Sequence, residues 1–293
     1  MIKVYTDAAS NLFPSILKEK NLDITVVSMT LRIDDLDLNC YDDLIDVKDI
    51  SKEFYEDLES GKKKISTSLI NPDKFIKAFE KDVKNGNQII CFTMASGISG
   101  TYQAASIAAD EINEEYGKEM VHIINSATAS FGEGMQAIRA YELIKEGIDF
   151  DTLVANCTEF ALKVRSEFTV GDITHLVKTG RVTKTLATIA KFLNLKVMLY
   201  GSKESKIEFA GKVHGRKLAI AHLAKNCLKH IVDKNQTVYI THCDALEDAS
   251  KLKELLLKEG ISNVEIYYYD LITGAHVGKG TIAIFYVGEN RDL

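Results

Sequence analysis

Four short stretches concentrate hydroxyl side chains where an apolar run gives way to a helical pattern. They are "TDAASN" with Asp7 and Ser10, "ISTSLINP" with Ser66, Thr67 and Ser68, "ASGISGTYQ" with Ser96, Ser99, Thr101 and Tyr102, and "NSATASFGEG" with Asn125, Ser126, Thr128 and Ser130. None contains Lys or Arg. Hydroxyls and free backbone N–H groups at a helix start hold a small anion through hydrogen bonds and the helix dipole. A triphosphate would also ask for a basic side chain or a metal. A single carboxylate does not. The competing account is that Ser, Thr and Asn are simply the preferred helix N-caps, and at any one junction that account suffices.

Sharper motifs are mostly excluded. "GAHVGKGT" (Gly274–Thr281) resembles a phosphate loop, but three residues stand between its first glycines where four are needed, Gly280 follows Lys279 where Ser or Thr belongs, and a strand pattern follows. "GEGMQA" (Gly132–Ala137) opens a helix but lies too far from the preceding strand for a dinucleotide turn. "ASGISG" lacks the spacing of a nucleophile elbow. A serine hydrolase built from Ser96 or Ser99 with His276 and an Asp stays open as an alternative, since triads assemble across a fold. The seven histidines show no HxH, HxxxH or HExxH spacing, so no metal site is expected. His276 lies between Gly274 and Gly278, in what reads as a backbone-exposing loop, and is a ligand-binding candidate.

The elements that would position these groups alternate. "IKVYT", "ITVVSMTL", "QIICFT" and "VHIIN" read as strands, with helical patterns over 51–60, 72–83, 101–115 and 134–145. Pro72 suits a first helical position after the cap Asn71. Short connections between strand and helix argue for a parallel sheet wrapped by helices. Past residue 155 strands arrive in pairs, "KVMLYGS" and "KIEFAGKV" joined by a polar turn at Lys203–Ser205, which points to a mixed sheet. The expected architecture is α/β in two domains: a three-layer parallel-sheet domain over 1–155 and a mixed-sheet α/β domain over 156–293. In an open parallel sheet the ligand lies beyond the C-terminal strand ends, where the hydroxyl clusters fall.

The 293 residues suit two domains, and 46% hydrophobic content with 27% charge supports real cores. A net charge of −6 without a basic block argues against nucleic acid as a partner. Five scattered cysteines without CxxC suggest neither a disulfide framework nor zinc, and fit a reducing cytoplasm. No apolar run reaches the ~18 residues of a membrane span, and the N-terminus reads as a strand instead of a signal peptide.

"TDAASNL", "STSLINPDKF", "ASGISGTYQAA", "NSATASFGEG", "KTGRVTK" and "TGAHVGKGT", in that order along the chain, resemble the successive signatures of the DegV family. That resemblance implies a fatty-acid-binding subunit of a bacterial fatty acid kinase, with no cofactor and no catalysis of its own. It implies two α/β domains with a long acyl chain buried at or beneath their junction. Thr67, Ser96 and His276 match the family's carboxylate-binding positions, Ser99, Gly100 and Thr101 complete the helix-start turn, and Arg181 matches an arginine taken as interface- or partner-facing. A separate kinase subunit would phosphorylate the presented carboxylate from ATP, giving an acyl-phosphate for phospholipid synthesis. His276 would donate to the carboxylate, whose charge favours the protonated imidazole. The chain departs from the family pattern at Ala8, Ser28, Asn125, Thr179 and Lys279.

Overall fold

A parallel sheet is built first along the chain. In the computed structural model, which describes residues 1–41, 47–183, 186 and 194–291, β1 (Ile2–Asp7), β2 (Ile24–Val27), β6 (Gln88–Thr93) and β7 (Val121–Asn125) form a four-stranded sheet in the order β2-β1-β6-β7. All its pairings are parallel. Its central strands are apolar on both faces, with Val4, Ile89, Ile90 and Phe92 buried, as a sheet covered on both sides requires. Helices α3 (Pro72–Lys84) and α4 (Thr101–Tyr116) pack together on one face, and α5 (Phe131–Lys145) and α6 (Phe150–Ala161) on the other. Asn71 caps α3 through its side chain, bonding Lys74 N at 2.9 Å, with Pro72 in the first turn.

"ITVVSMTL" is not one strand. Ser28 donates its hydroxyl to the Cys40 carbonyl, and the chain turns out of the first sheet there. β3 (Thr30–Ile33) then pairs antiparallel with β4 (Leu36–Asn39) and β5 (Ile65–Ser68) in a small separate sheet. "ISTS" is therefore a strand of its own. Its period of two turns Ile65 and Thr67 inward and leaves Ser66 and Ser68 exposed. Helix α2 (Val47–Ser60) carries the fully buried Tyr55.

The remaining strands, β8 (Val164–Thr169), β9 (Leu195–Gly201), β10 (Ile207–His214), β11 (Thr237–His242), β12 (Asn263–Tyr268) and β13 (Ile282–Val287), form a six-stranded sheet in the order β10-β9-β8-β13-β11-β12. Only β11 and β12 pair in parallel. The two-domain α/β architecture expected from the sequence is present, with a parallel sheet followed by a mixed one. Helices α8 (Arg216–His230) and α9 (Leu246–Lys258) cover one face of the mixed sheet through Ile220, Leu223 and Leu252. Its other face packs on α5, which also packs on β1. Phe131 of α5 stacks on Tyr239 with ring centroids 4.2 Å apart and on Tyr267 at 4.8 Å. Such a helix, buried by a sheet on either side, has no need of a polar face over its first two turns. Two short helices complete the junction between the sheets, α7 (Thr174–Lys178) and α10 (Leu271–Val277).

Candidate functional site

His276 does not sit in an open loop. It occupies the last turn of α10, half-buried. Asp270 starts this helix by accepting the Thr273 N–H at 2.6 Å. Gly274 lets it pack on α2, since a Cβ at that position would lie 2.2 Å from the Tyr55 hydroxyl oxygen. The glycine that suggested a loop is thus a close-packing residue inside a helix. Gly278 ends the helix in a left-handed φ of 76° and returns its N–H to the Gly274 carbonyl.

His276 Nε2 lies 2.8 Å from Thr67 Oγ1. The residues are 209 positions apart in sequence, so this contact joins the small antiparallel sheet to the mixed-sheet domain. His276 Nδ1 is buried without a hydrogen-bond partner. Burial, assisted by the charge of nearby Arg181, lowers the His276 pKa to about 4. The imidazole is therefore neutral near pH 7 and offers one N–H.

Thr67 and His276 share a cavity of about 200 Å³ with Ser99, Gly100 and Arg181. The rest of its wall is mainly apolar, including Met29, Met94 and Ile272. A smaller hollow of about 50 Å³ runs on between the domains, and Ile98, Ile207, Thr273 and Val277 line both. The Ala95–Gly100 turn approaches the β9–β10 hairpin so closely that a Cβ on Gly97 would lie 2.2 Å from the Ser205 carbonyl oxygen. Leu69, half-exposed on the segment after β5, also borders the larger cavity.

The expected residues divide. Thr67, His276, Ser99 and Gly100 converge on the cavity. Thr101 is fully buried behind it, with its hydroxyl 2.9 Å from Ser99 Oγ and its N–H donating to the same oxygen at 3.2 Å. Ser96 is exposed and is not among the residues lining the cavity. Asn125 holds it, accepting the Ser96 N–H at 3.2 Å and donating to Ser96 Oγ at 2.9 Å and Ser205 Oγ at 3.0 Å. Arg181, expected to face a partner, is half-buried in the cavity wall, where its guanidinium donates to the Thr179 carbonyl. The stretch "KTGRVTK" ends at Lys184, which lies outside the described residues. Lys279 turns elsewhere, pairing with Asp244 at 3.0 Å.

Among the described residues no serine is hydrogen-bonded to His276, and the Ser99 hydroxyl, in the same cavity, lies against Thr101 Oγ1 at 2.9 Å. His276 Nε2 is bonded to Thr67, and the hydroxyl of Ser96 is bonded to Asn125. The other two hydroxyl junctions satisfy themselves, as caps and turns do. Asp7 accepts the N–H groups of Ala9 at 2.7 Å and Met94 at 2.9 Å, Ser126 donates to the Thr128 carbonyl, and Ser130 donates to Asn11. Glu133 of "GEGMQA" is buried, accepting from Thr6 Oγ1 at 2.6 Å. Burial pushes the Asp7 pKa up to about 6 and that of Asp270 up to about 8, and holds Glu133 well above the carboxylate range. Among the described residues no cluster of His, Cys, Asp and Glu is arranged to hold a metal, and no helix is long and apolar enough to cross a membrane.

The class so defined is a two-domain α/β protein with an apolar cavity at its domain junction and a Thr–His pair in the cavity wall. The family model for DegV proteins matches residues 1–289, and the chain belongs to the DegV family. A DegV domain-containing protein of Clostridium perfringens is 33% identical over 291 residues, 99% of this chain and 98% of its own. The crystal structure of a fatty acid binding DegV family protein from Streptococcus agalactiae superposes with a TM-score of 0.85 at 25% identity, covering 99% of each chain. The Streptococcus pneumoniae fatty acid kinase B3 protein, loaded with linoleic acid, has the same fold, with a TM-score of 0.82 at 19% identity over 99% of this chain and 100% of its own.

Proposed function

We propose that this protein binds one long-chain fatty acid, buries its tail between the domains, and presents the carboxylate to a separate ATP-dependent kinase subunit. The observation that carries this reading is the Thr67–His276 pair in the wall of a largely apolar cavity. With Thr67 donating to Nε2, the one N–H of neutral His276 lies on the otherwise unpartnered Nδ1 and is free for a carboxylate, Ser99 at the helix start is a second donor, and Arg181 supplies the countercharge. The protein contributes binding and orientation. The partner transfers the γ-phosphoryl of ATP to a carboxylate oxygen, releasing ADP and leaving an acyl-phosphate. The exposed part of Arg181 stays available to that partner.

Magnitudes divide the labour. Each charge-assisted hydrogen bond contributes roughly 1.5–3 kcal/mol net. Burying the tail is worth about 0.8 kcal/mol per methylene, so about 10 kcal/mol gross for a dozen, offset by ordering of the chain. The tail sets affinity and the head group sets orientation. The cavity is smaller than the roughly 300–1,000 Å³ common for ligand sites, so Ile98, Ile207 and Val277 must part to admit a long tail. The S. agalactiae protein, described as fatty acid binding, and the S. pneumoniae protein, loaded with linoleic acid, support the same ligand class.

Native mass spectrometry and lipid extraction of the purified protein test the binding step. A stoichiometric fatty acid, or its uptake by delipidated protein, is the expected result, and repeated absence of both would refute the reading. For the second step, hydroxylamine trapping should give fatty hydroxamate only when this protein, ATP and a kinase subunit are combined. Hydroxamate from this protein and ATP alone would mean that catalysis resides in this chain.

A further inference from the structure

Thr273 precedes His276 by three residues on α10 and lines both the head-group cavity and the inner hollow. It is only 7% exposed, and its hydroxyl has no hydrogen-bond partner. Its backbone N–H is taken by Asp270 Oδ1 at 2.6 Å. The hydroxyl lies near enough to that carboxyl to temper its raised pKa, yet outside hydrogen-bonding geometry, and Asp270 Oδ2 is also unpartnered. Deeper in the inner hollow, Thr128 donates to the Ala129 carbonyl and Ser205 accepts from Asn125, while Ser166 borders it beyond the neck it shares with the cavity. Of the four residues that line both spaces, Ile98, Ile207, Thr273 and Val277, Thr273 alone carries a hydroxyl, and that hydroxyl is unsatisfied. A plain alkyl chain passing it leaves the group unpaired, whereas a hydroxyl on the ligand would satisfy both partners.

We infer that the cavity takes a fatty acid bearing a hydroxyl group close to its carboxyl end, with Thr273 as the residue that selects it. This rests on the fatty-acid reading above and names the substrate class within it. Position follows from the helix. Three residues of α-helix advance about 4.5 Å, so a carboxylate at His276 brings only the first few carbons alongside Thr273. A β-hydroxy acid meets that requirement, and a hydroxyl at the far end of the chain does not.

The test uses the delipidated full chain and its Thr273→Val and Thr273→Ser variants, titrated with palmitic, β-hydroxypalmitic and ω-hydroxypalmitic acids by calorimetry. The wild type and Thr273→Ser should bind the β-hydroxy acid about three- to tenfold more tightly than palmitic acid, the net value of one neutral hydrogen bond. Thr273→Val, which keeps the shape and removes the hydroxyl, should lose that preference, and the ω-hydroxy acid should show none. If Thr273→Val does not fold, the wild-type and Ser measurements still decide. Equal binding of palmitic and β-hydroxypalmitic acids by the wild type would overturn the inference alone. So would a preference that survives in the Val variant or is shared by the ω-hydroxy acid. Failure of all three acids to bind would overturn the fatty-acid reading, and this inference with it.

Discussion

The protonation state of His276 in the complex can be decided by magnitude. Its pKa lies at about 4, lowered by burial and by Arg181. Protonating it at pH 7 would cost about 4 kcal/mol, three units at about 1.36 kcal/mol each. A charge-assisted hydrogen bond returns only about 1.5–3 kcal/mol net, and a neutral imidazole N–H facing a carboxylate already makes one. The sequence suggested an imidazolium favoured by the anion. With Arg181 in the cavity wall to balance charge, the neutral ring is the state expected to persist in the complex. The perturbation is a pair of substitutions, His276→Gln, which keeps an N–H donor, and His276→Ala, which removes it. In calorimetric titration of the delipidated protein with a fatty acid, the Ala variant should lose about 10- to 150-fold in affinity, and the Gln variant should retain most of it. Titration in buffers of different ionisation enthalpy should show close to zero proton uptake at pH 7. Uptake near one proton, with the Gln variant as weak as the Ala variant, would refute the reasoning.

Thr67→Val should weaken fatty acid binding about three- to tenfold, while Thr67→Ser stays near wild type, measured in the same titration. Arg181→Gln should raise the His276 pKa, because the arginine charge is one of the two influences depressing it. An NMR titration of the His276 ring showing no upward movement would contradict that. Asp270 has its folded-state pKa raised to about 8 by burial. The folded state therefore holds a proton that the unfolded chain releases near pH 4, so stability falls as pH rises from there to about 8, by up to about 1.4 kcal/mol per pH unit. Asp270→Asn, still able to cap α10, should flatten that slope in denaturant unfolding followed against pH. Gly274→Ala should destabilise by a few kcal/mol, about the cost of overpacking a core, because the new Cβ meets the Tyr55 hydroxyl. A melting temperature unchanged from wild type would show that α2 and α10 can separate freely.

The periodic parts of the molecule were legible. Strands such as Gln88–Thr93 and helices such as Pro72–Lys84 carry their own signals in apolar runs, a cap and a proline. Thr67 and His276 stood out as candidates, a hydroxyl and an imidazole in ordered motifs, and the fold brings them within 2.8 Å in one cavity wall. The parts that failed depend on tertiary partners. "ITVVSMTL" is uniformly β-prone, and only the bond from Ser28 to Cys40 shows where it changes sheets. The helix around His276 was hidden by two glycines, whose reasons are the Tyr55 hydroxyl and a positive φ at the residue that ends the helix. Ser96 and Ser99 are alike in sequence, and Asn125 decides between them by holding Ser96 outside the cavity. Thr273 would have stood out from its spacing to His276 had that segment been read as helical.

The cavity exists only where three separately built elements meet. Thr67 comes from the small antiparallel sheet, Ser99 from the helix start after β6, and His276 from α10 of the mixed-sheet domain. None of these elements holds the group alone, and the contact between Thr67 and His276 spans the junction. A ligand bridging all three stabilises their relative placement by mass action, in proportion to the logarithm of its concentration over its dissociation constant. On the proposed fatty-acid reading, loading should be coupled to closure of the domain junction, and delipidation should loosen this junction before it affects either sheet. Hydrogen exchange should locate that loosening at the amides of α10 and the Ala95–Gly100 turn, with β1 and β13 unchanged. Equal gains in exchange across both sheets would mean that the ligand stabilises the whole fold without specifically joining its parts.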